Sequence, residues 1–467
     1  MKNYGLYTDF YEITMSQAFF LSGKGNDQTS FDYFYRTNPY GGGFLVFAGL
    51  SDAIEMIKDF SFSEEDLTFL SKSGVDARFI EYLRDFRFKG NIYSAKEGEI
   101  VFPRVPILRV EGNIIECQLI ETLLLNILNY ESLIASKTFR IVQAAKGRSV
   151  VDFGLRRAHG TGAVQASKAS IIGGAIATSN VYAARKYDLP VSGTMAHSWV
   201  QSFKNEYDAF KTFSDIHPDN CIVLVDTYNT LESGVPNAIK LANELKKEGR
   251  KVKGIRLDSG DLSYLSRKAR KMLDDAGFPD IMITASNQLN EHVIKSLLEQ
   301  DAEIDAFGVG TEMITGKPDA SLDGVYKLAE CDGIPRMKIS ENVEKVTLPG
   351  AKKVVRYFDK EGMFYRDAIV KKDEKVEEIT EVFHPSVNYK KTNIEGCKHE
   401  ELQQQIMKNG EVICRLPSAQ EAHCYLIERA QQLAPEHYRF ISPHIYKVGL
   451  SEALKEERDN FLNNLSS

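Results

Sequence analysis

No stretch of this 467-residue chain approaches the roughly 20 consecutive apolar residues that a bilayer span requires, so none is expected. Met1 runs straight into a polar, tyrosine-rich segment. It lacks the basic n-region and apolar h-region of a signal peptide, and the expected location is cytoplasmic. The cysteines (Cys117, Cys221, Cys331, Cys397, Cys414 and Cys424) show no CxxC spacing. Cys117 and Cys221 lie in apolar, strand-like context and are expected to be reduced core residues. Cys397 with His399, and Cys414 with His423 and Cys424, do not have the spacing of a recognisable zinc site, and no metal ligand is assigned. There is no internal repeat and no low-complexity tract. The net charge of −7 is too small to indicate a nucleic-acid partner, so an anionic substrate would have to be held by local basic clusters.

The length is enough for two or three domains, and the apolar fraction of 43% is ordinary for a globular chain. Residues 5–23 read as a helix, 29–36 and 44–50 as strands around a Gly-Gly-Gly turn, and 51–85 as two helices. A small β unit is expected over 91–116, then a long amphipathic helix over 117–146. From about 148 the pattern changes to strict alternation. Strands are expected at 148–153, 190–196, 220–226, 252–257, 280–285, 304–309 and 324–328. Helices are expected at 162–187, 234–248, 261–276 and 290–300. Such alternation implies a parallel sheet, either an open doubly wound sheet or an incomplete barrel. Beyond 330 dense Lys and Glu suggest a solvated appendage, ending in an aromatic segment that packs back on the body. The expected domains are 1–146, 147–335 and 336–467.

The polar residues decide between the two sheet types. Strand after strand ends in polar residues or glycine: Phe153-Gly-Leu-Arg-Arg157, His197-Ser198, Asp226-Thr-Tyr-Asn229, Asp258-Ser-Gly-Asp261, Ser286-Asn-Gln288 and Gly308-Val-Gly-Thr311. In a barrel these ends share one face and one site. In an open sheet only those at the switch point would. The fold expected is therefore an irregular, incomplete α/β barrel, with a discontinuous N-terminal α+β domain and a C-terminal extension.

Several of these ends suit particular chemistry. Gly308 and Gly310 let backbone N–H groups approach a phosphate and Thr311 adds a hydroxyl, although a plain glycine turn reads equally well. Arg256 and Asp258 alternate out of one strand onto one face. The arginine suits an anion, and the aspartate suits sugar hydroxyls or a metal. Asp261 reads as a helix cap. Phe153 beside Arg156 and Arg157 suits a flat anionic ring, or else a core phenylalanine with surface arginines. His197 alone reads as a satisfied loop histidine, but its place at a barrel-face strand end also suits a base or nucleophile, with Asp226 placed to accept from one ring nitrogen. No Gly-x-Ser-x-Gly elbow surrounds Ser198, which excludes that type of serine hydrolase.

Taken together, Leu6-Tyr-Thr-Asp-Phe-Tyr-Glu-Ile-Thr-Met15, Arg36-Thr-Asn-Pro-Tyr-Gly-Gly-Gly-Phe44, Glu121-Thr-Leu-Leu-Leu-Asn126, Gly193-Thr-Met-Ala-His-Ser198, Ile255-Arg-Leu-Asp-Ser-Gly-Asp261, Phe307-Gly-Val-Gly-Thr311 and Pro443-His-Ile-Tyr-Lys-Val-Gly-Leu-Ser451 make the chain resemble the nicotinate phosphoribosyltransferases over nearly its whole length. The resemblance implies synthesis of nicotinate mononucleotide and pyrophosphate from nicotinate and 5-phosphoribosyl 1-pyrophosphate, in NAD salvage. It also implies a Mg²⁺ requirement, coupled ATP hydrolysis through a phosphohistidine at His197, and a head-to-tail homodimer with shared active sites.

By that resemblance Phe153 stacks on the pyridine ring, and Tyr11 stacks from the partner subunit. Arg156 and Arg256 hold anionic groups, and Arg36 reaches the pyrophosphate. Asp258 holds the ribose with Ser259 and Gly260 beside it, and Gly308, Gly310 and Thr311 take the 5′-phosphate. Catalysis rests on His197, Asp226 and Asp258. The small, hydroxylic segment 173–179, with Thr178 as its substrate contact, favours a carboxylate acceptor over nicotinamide. Nicotinamide phosphoribosyl transfer and a non-catalytic nucleotide-binding barrel remain the alternatives. Quinolinate would need more clustered basic residues. Gln288 and Asn290 stand where the family commonly has carboxylates, which weakens any role for that loop in binding metal or ribose.

Overall fold

A computed structural model describes residues 3–340, 346–387 and 389–465. The chain divides into two compact units. One joins Met1–Leu133 with Ser321–Ser467, and the other is Ile134–Ala320. The helix Glu121–Ala144 runs through the boundary.

The Ile134–Ala320 unit is built on a six-stranded parallel sheet. Its spatial order is Ala177–Thr178, Ser149–Asp152, Ala306–Val309, Met282–Ser286, Gly254–Leu257 and Ile222–Leu224. The sheet curls into a half-barrel, as the alternation of strands and helices implies. Val150, Val223, Leu224, Ile255, Leu257, Ile283, Phe307 and Val309 are all buried, because strands covered on both faces must be apolar nearly throughout. Each large aliphatic side chain buried this way contributes about 1.5–3 kcal/mol. Some of the helices start at side-chain caps: Asn205 accepts from the Asp208 N–H, and Asp261 accepts from the Tyr264 N–H, the capping role its position suggests.

Three expected elements differ. The helix expected over 162–187 is two helices, Gly162–Ile172 and Val181–Tyr187, with the strand Ala177–Thr178 between them. The break falls at Gly173-Gly174, where Gly174 adopts φ +106°. The buried strand expected over 190–196 reduces to one bridge between Thr178 and Val191. Val191 is 64% exposed, and Pro190 has no N–H to continue a ladder. The strand expected at 324–328 exists as Gly324–Cys331, but it pairs antiparallel with Gln28–Tyr35 in the other unit.

That other unit holds a seven-stranded antiparallel sheet, ordered Ile334–Pro335, Gly324–Cys331, Gln28–Tyr35, Leu108–Asn113, Asn91–Ser94, Gln404–Lys408 and Glu411–Val412. The N-terminal domain is thus discontinuous. Three helices, Leu50–Lys58, Glu64–Lys72 and Ala77–Arg84, occupy the segment expected to hold two. The long helix expected over 117–146 is preceded by a separate turn, Ile114–Leu119.

The charged C-terminal third is not a solvated appendage. It forms a six-stranded sheet of its own, around Val355, Tyr357, Ala368, Val370, Val382 and Ile394. Part of its charge is buried. Arg356 is completely enclosed, bound to Asp367 through Nε (2.8 Å) and Nη2 (2.8 Å) and to Glu99 through Nη1 (2.7 Å). Glu99 also accepts from Arg429 Nε at 2.9 Å and from Tyr425 at 2.5 Å. Charged residues in this part of the sequence therefore supply an internal ion cluster as well as a wet face. Among the described residues no helix is long and apolar enough to cross a membrane.

Removing one member of a buried ion pair strands the other in a low-dielectric interior. Arg356→Met is expected to lower unfolding stability by about 3–5 kcal/mol in a urea titration. Lys375→Ala, whose pair with Glu378 is solvent-exposed, should leave that titration unmoved.

Glu12 gives a pH signature. It is fully buried, and burial pushes its carboxyl up to about 7, against a hydrogen bond from Gln118 (2.7 Å) that pulls it down. The folded state therefore holds a proton that the unfolded chain loses from about pH 4.5 upward, so this group's contribution falls as pH rises towards 7. Glu12→Gln is expected to flatten the stability profile between pH 5 and 7. An unchanged slope would place the titration elsewhere.

Candidate active site at the strand ends

Parallel strands put all their C-terminal ends on one edge, and the polar residues of the Ile134–Ala320 unit gather there. The first anchor is Asp152, which ends the strand Ser149–Asp152 fully buried. Its Oδ1 accepts from the Gly154 N–H (2.7 Å), and its Oδ2 accepts from Ser167 Oγ (2.8 Å) and Thr178 Oγ1 (2.7 Å). Burial holds its carboxyl above the usual range.

This carboxylate fixes the loop that carries Phe153, whose own N–H donates to the Val309 carbonyl (2.8 Å). The half-buried Phe153 ring lies directly over Gly308, where an added Cβ would come within 2.5 Å of two ring carbons. The Arg256 guanidinium carbon lies 6.0 Å from the ring centroid.

Arg256 donates through Nη1 to Thr194 Oγ1 and to the Met195 carbonyl (3.2 Å), while its buried Nε has no partner. Burial lowers its pKa, with the Asp258 and Asp226 carboxylates acting the other way and Arg156 adding to the lowering. Arg156 itself is exposed on the turn Leu155–Arg157.

His197 opens the short helix His197–Gln201. Its Nδ1 is 3.1 Å from Thr227 Oγ1, and its Nε2 is 3.7 Å from Asp258 Oδ2. The residue facing Nδ1 is thus Thr227 and not Asp226. Adjacent residues leaving a strand point to opposite sides, and Asp226 is turned to the next strand end. There its Oδ2 accepts from the Asp258 N–H (2.8 Å) and Ser259 Oγ (2.6 Å), while its buried Oδ1 has no partner. Asp258 Oδ1 accepts from Ser286 Oγ. The Asp258–Asp261 turn closes through Gly260 at φ +78°, a conformation that favours glycine. Gly310 sits with its Cα edge against the Phe153 carbonyl, where a Cβ would fall at 3.2 Å, and Thr311 begins the next turn exposed.

This is one constellation: an aromatic platform, two guanidinium groups, a histidine, two carboxylates and a glycine loop on adjoining parallel strands. Family comparison agrees with it. The model of the nicotinate phosphoribosyltransferase (NAPRTase) family matches residues 148–387, its N-terminal domain model matches 6–129, and its C-terminal domain model matches 351–458. The chain belongs to the nicotinate phosphoribosyltransferase family.

A nicotinate phosphoribosyltransferase of Bacillus subtilis (strain 168) is 43% identical over 458 residues, covering 96% of this chain and 93% of that one. One from Caenorhabditis elegans is 35% identical, covering 96% and 92%. The crystal structure of human nicotinic acid phosphoribosyltransferase superposes with a TM-score of 0.87 at 29% identity, covering 97% of this chain and 99% of that one. The fold, the family and the enzyme class expected from the sequence are those found.

Not every residue assigned by family resemblance is presented by the strand ends with a free polar group. Thr178 is fully buried, donating to Asp152 and accepting from the Asn180 N–H (3.0 Å), so its hydroxyl is already committed. Its strand faces it inward, and the neighbouring half-buried Ser179 is the more accessible hydroxyl. Tyr11 and Arg36 belong to the other unit. Tyr11 is 46% exposed on the helix Phe10–Leu21. Arg36 pairs with Asp323 (2.8 Å) and keeps a buried Nε without a partner. Asn290 caps the helix Glu291–Glu299, accepting from the His292 and Val293 N–H groups.

Sequence reasoning passed over Asp152, Thr194, Thr227 and Ser286, which supply the hydrogen bonds around the others. Each stands beside or inside one of the strand-end motifs, and each is a short polar residue. That signal marks the neighbourhood without saying which atom meets which.

The Phe153–Gly308 contact leaves no room for a methyl group. Gly308→Ala is expected to keep the fold, by circular dichroism, and to raise KM for the acceptor base about tenfold or more, because the displaced ring loses its binding face. An unchanged KM would remove Phe153 from base recognition.

Proposed function

We propose that the chain transfers a phosphoribosyl group from 5-phosphoribosyl 1-pyrophosphate to nicotinate and couples this to ATP hydrolysis through a phosphohistidine at His197. The observation that supports the reading most is the pair of unmet polar atoms facing the constellation, Arg256 Nε and Asp226 Oδ1. Buried polar atoms ordinarily find partners, and these two await an anion and a cation respectively.

In this reading the pyridine ring stacks on Phe153, and its carboxylate is drawn to Arg256 and Arg156. That charge match selects nicotinate over a neutral amide. Ring nitrogen attacks the ribose C1 as the bond to pyrophosphate breaks, and positive charge develops on the sugar. The Asp258 carboxylate stabilises that charge and orients the ribose hydroxyls, with Ser286 and the Asp226-bound turn at Ser259 and Gly260 holding it in place. Gly308, Gly310 and Thr311 take the 5′-phosphate.

Mg²⁺ suits the oxygen donors at hand. Asp226, with its unpartnered Oδ1, and Asp258 would hold it, in keeping with an ion that binds through one or two carboxylates plus substrate phosphates. When bound it supplies charge neutralisation at the phosphates.

No protein nucleophile is needed at the sugar, so His197 is assigned to energy coupling. Thr227 at Nδ1 orients the ring and leaves Nε2 to take the phosphoryl group, beside the carboxylate that stabilises the imidazolium. Exposed Phe10, Tyr11 and Leu21 on one helix support a homodimer in which Tyr11 serves the partner's site. The chain's expected compartment is the cytoplasm.

Incubation with γ-labelled ATP is expected to leave acid-labile phosphate on the wild type and none on His197→Ala. The same variant should still make nicotinate mononucleotide without ATP. Label on the variant would exclude His197 as acceptor, and complete loss of transfer in a folded variant would return the histidine to the sugar chemistry. EDTA is expected to abolish transfer and added Mg²⁺ to restore it.

A further inference from the structure

The discontinuous unit contains a cavity of about 1100 Å³, slightly larger than the usual small-molecule site. Its lining residues all come from Met1–Leu133 and Ser321–Ser467, and none is a residue of the proposed reaction. Much of the wall is apolar, including Pro103, Ile339, Leu348, Val382, Ile445 and Leu462. Among the described lining residues the charge is one-sided, with eight lysines and arginines against two aspartates, in a chain of net charge −7.

Half of those cations are neutralised by neighbours. Lys352 meets Asp32 at 2.7 Å, Arg458 meets Asp459 at 2.6 Å, Lys391 meets Glu381 at 2.8 Å, and Lys327 meets Glu121 at 3.6 Å. The other four, Arg104, Arg366, Lys390 and Lys447, have no ion pair among the described residues. Arg104, Lys390 and Lys447 are exposed, which is unremarkable for each alone. Arg366 is different. It lies within the strand Phe364–Lys371, is only 7% exposed, and its buried Nε has no partner.

The next residue, Asp367, points to the opposite face and is spent on Arg356. The same sheet therefore carries one buried arginine with its carboxylate and a second without one. The Arg366 guanidinium carbon lies 5.0 Å from the Tyr365 ring centroid, but no carboxylate pairs with it among the described residues; a buried guanidinium without a counter-charge is costly, and burial lowers its pKa. A phosphate brought into the cavity would supply the missing counter-charge in the bidentate geometry that arginine favours.

We propose that this cavity is a second, non-catalytic binding site for a multiply charged phosphate ester with an apolar or aromatic body, of the size of a nucleoside polyphosphate. Four unpaired cations call for more than one negative charge, which a singly charged fatty acid would not supply. The apolar wall calls for more than inorganic phosphate. Such a site would let a nucleotide other than the reacting one act on the enzyme from outside the strand-end constellation.

The test is calorimetric titration of the full chain with ADP, alongside a crystal soaked in ADP. The wild type is expected to show a binding event that Arg104→Ala/Lys447→Ala weakens at least tenfold, while its turnover of nicotinate measured without ADP is unchanged. Arg366→Met should weaken the same event. If that variant does not fold, the exposed double variant carries the test alone. Adenosine, which keeps the base and sugar but lacks phosphate, and inorganic phosphate, which lacks the body, are both expected to bind much more weakly there. A double-variant isotherm that superposes on the wild type, or a soaked crystal with nucleotide only at the strand ends, would overturn the proposal.

Discussion

Two carboxylates hold the strand-end constellation together by hydrogen bonds to the main chain and to short hydroxyls. Asp152 gathers the Gly154 N–H, Ser167 and Thr178, and so fixes the loop that presents Phe153. Asp226 gathers the Asp258 N–H and Ser259, and so fixes the turn that presents Asp258. Both depend on the parallel ladder, which delivers every strand end to the same edge and sets adjacent ends close enough for a side chain to bridge. Reactive groups carried on loops acquire definite positions because short, buried bonds tie the loops to rigid strands.

The protein uses buried charge in two contrasting ways. Around Arg356 each charge meets an opposite one: Asp367 and Glu99 flank the guanidinium, and Arg429 and Tyr425 complete Glu99. Nothing is left over to bind a ligand, and the cluster ties the C-terminal sheet to the segment around Glu99. At the strand ends, by contrast, Arg256 Nε and Asp226 Oδ1 are buried and unmet. The same physics that makes an unsatisfied buried atom costly favours any ligand group that can partner it. Arg366 shares that character inside the discontinuous unit, which is why its cavity stands out from a merely structural void.

Much of this organisation was legible in the sequence. Apolar runs of strand length alternating with amphipathic helices have no compact solution other than a parallel sheet, and five of its six strands were placed from pattern alone. The sixth, Ala177–Thr178, is two residues long and lies in a run of small residues that reads as continuous helix until Gly173-Gly174 is recognised as a break. The strand expected at 190–196 failed for the opposite reason. Its apolar and hydroxyl residues resemble a buried strand, but its backbone is mostly unpaired and Val191 faces water. The charged C-terminal third was misread because one-dimensional charge density does not distinguish a wet face from a paired interior.

The sequence by itself determined the chemistry available at each strand end: His197, Asp226, Asp258, Arg256 and Phe153 stand in motifs, and covalent order keeps them there. It determined the family as well, since several separated motifs must agree together. Only the tertiary structure decided which atoms meet. Thr227 and not Asp226 faces the imidazole, Thr178 turns inward to Asp152, and Gly308 lies under Phe153. Those outcomes depend on the rotation of each side chain about its strand and on the spacing of non-consecutive neighbours. Local sequence does not encode either one, because both are set by long-range packing of the whole sheet.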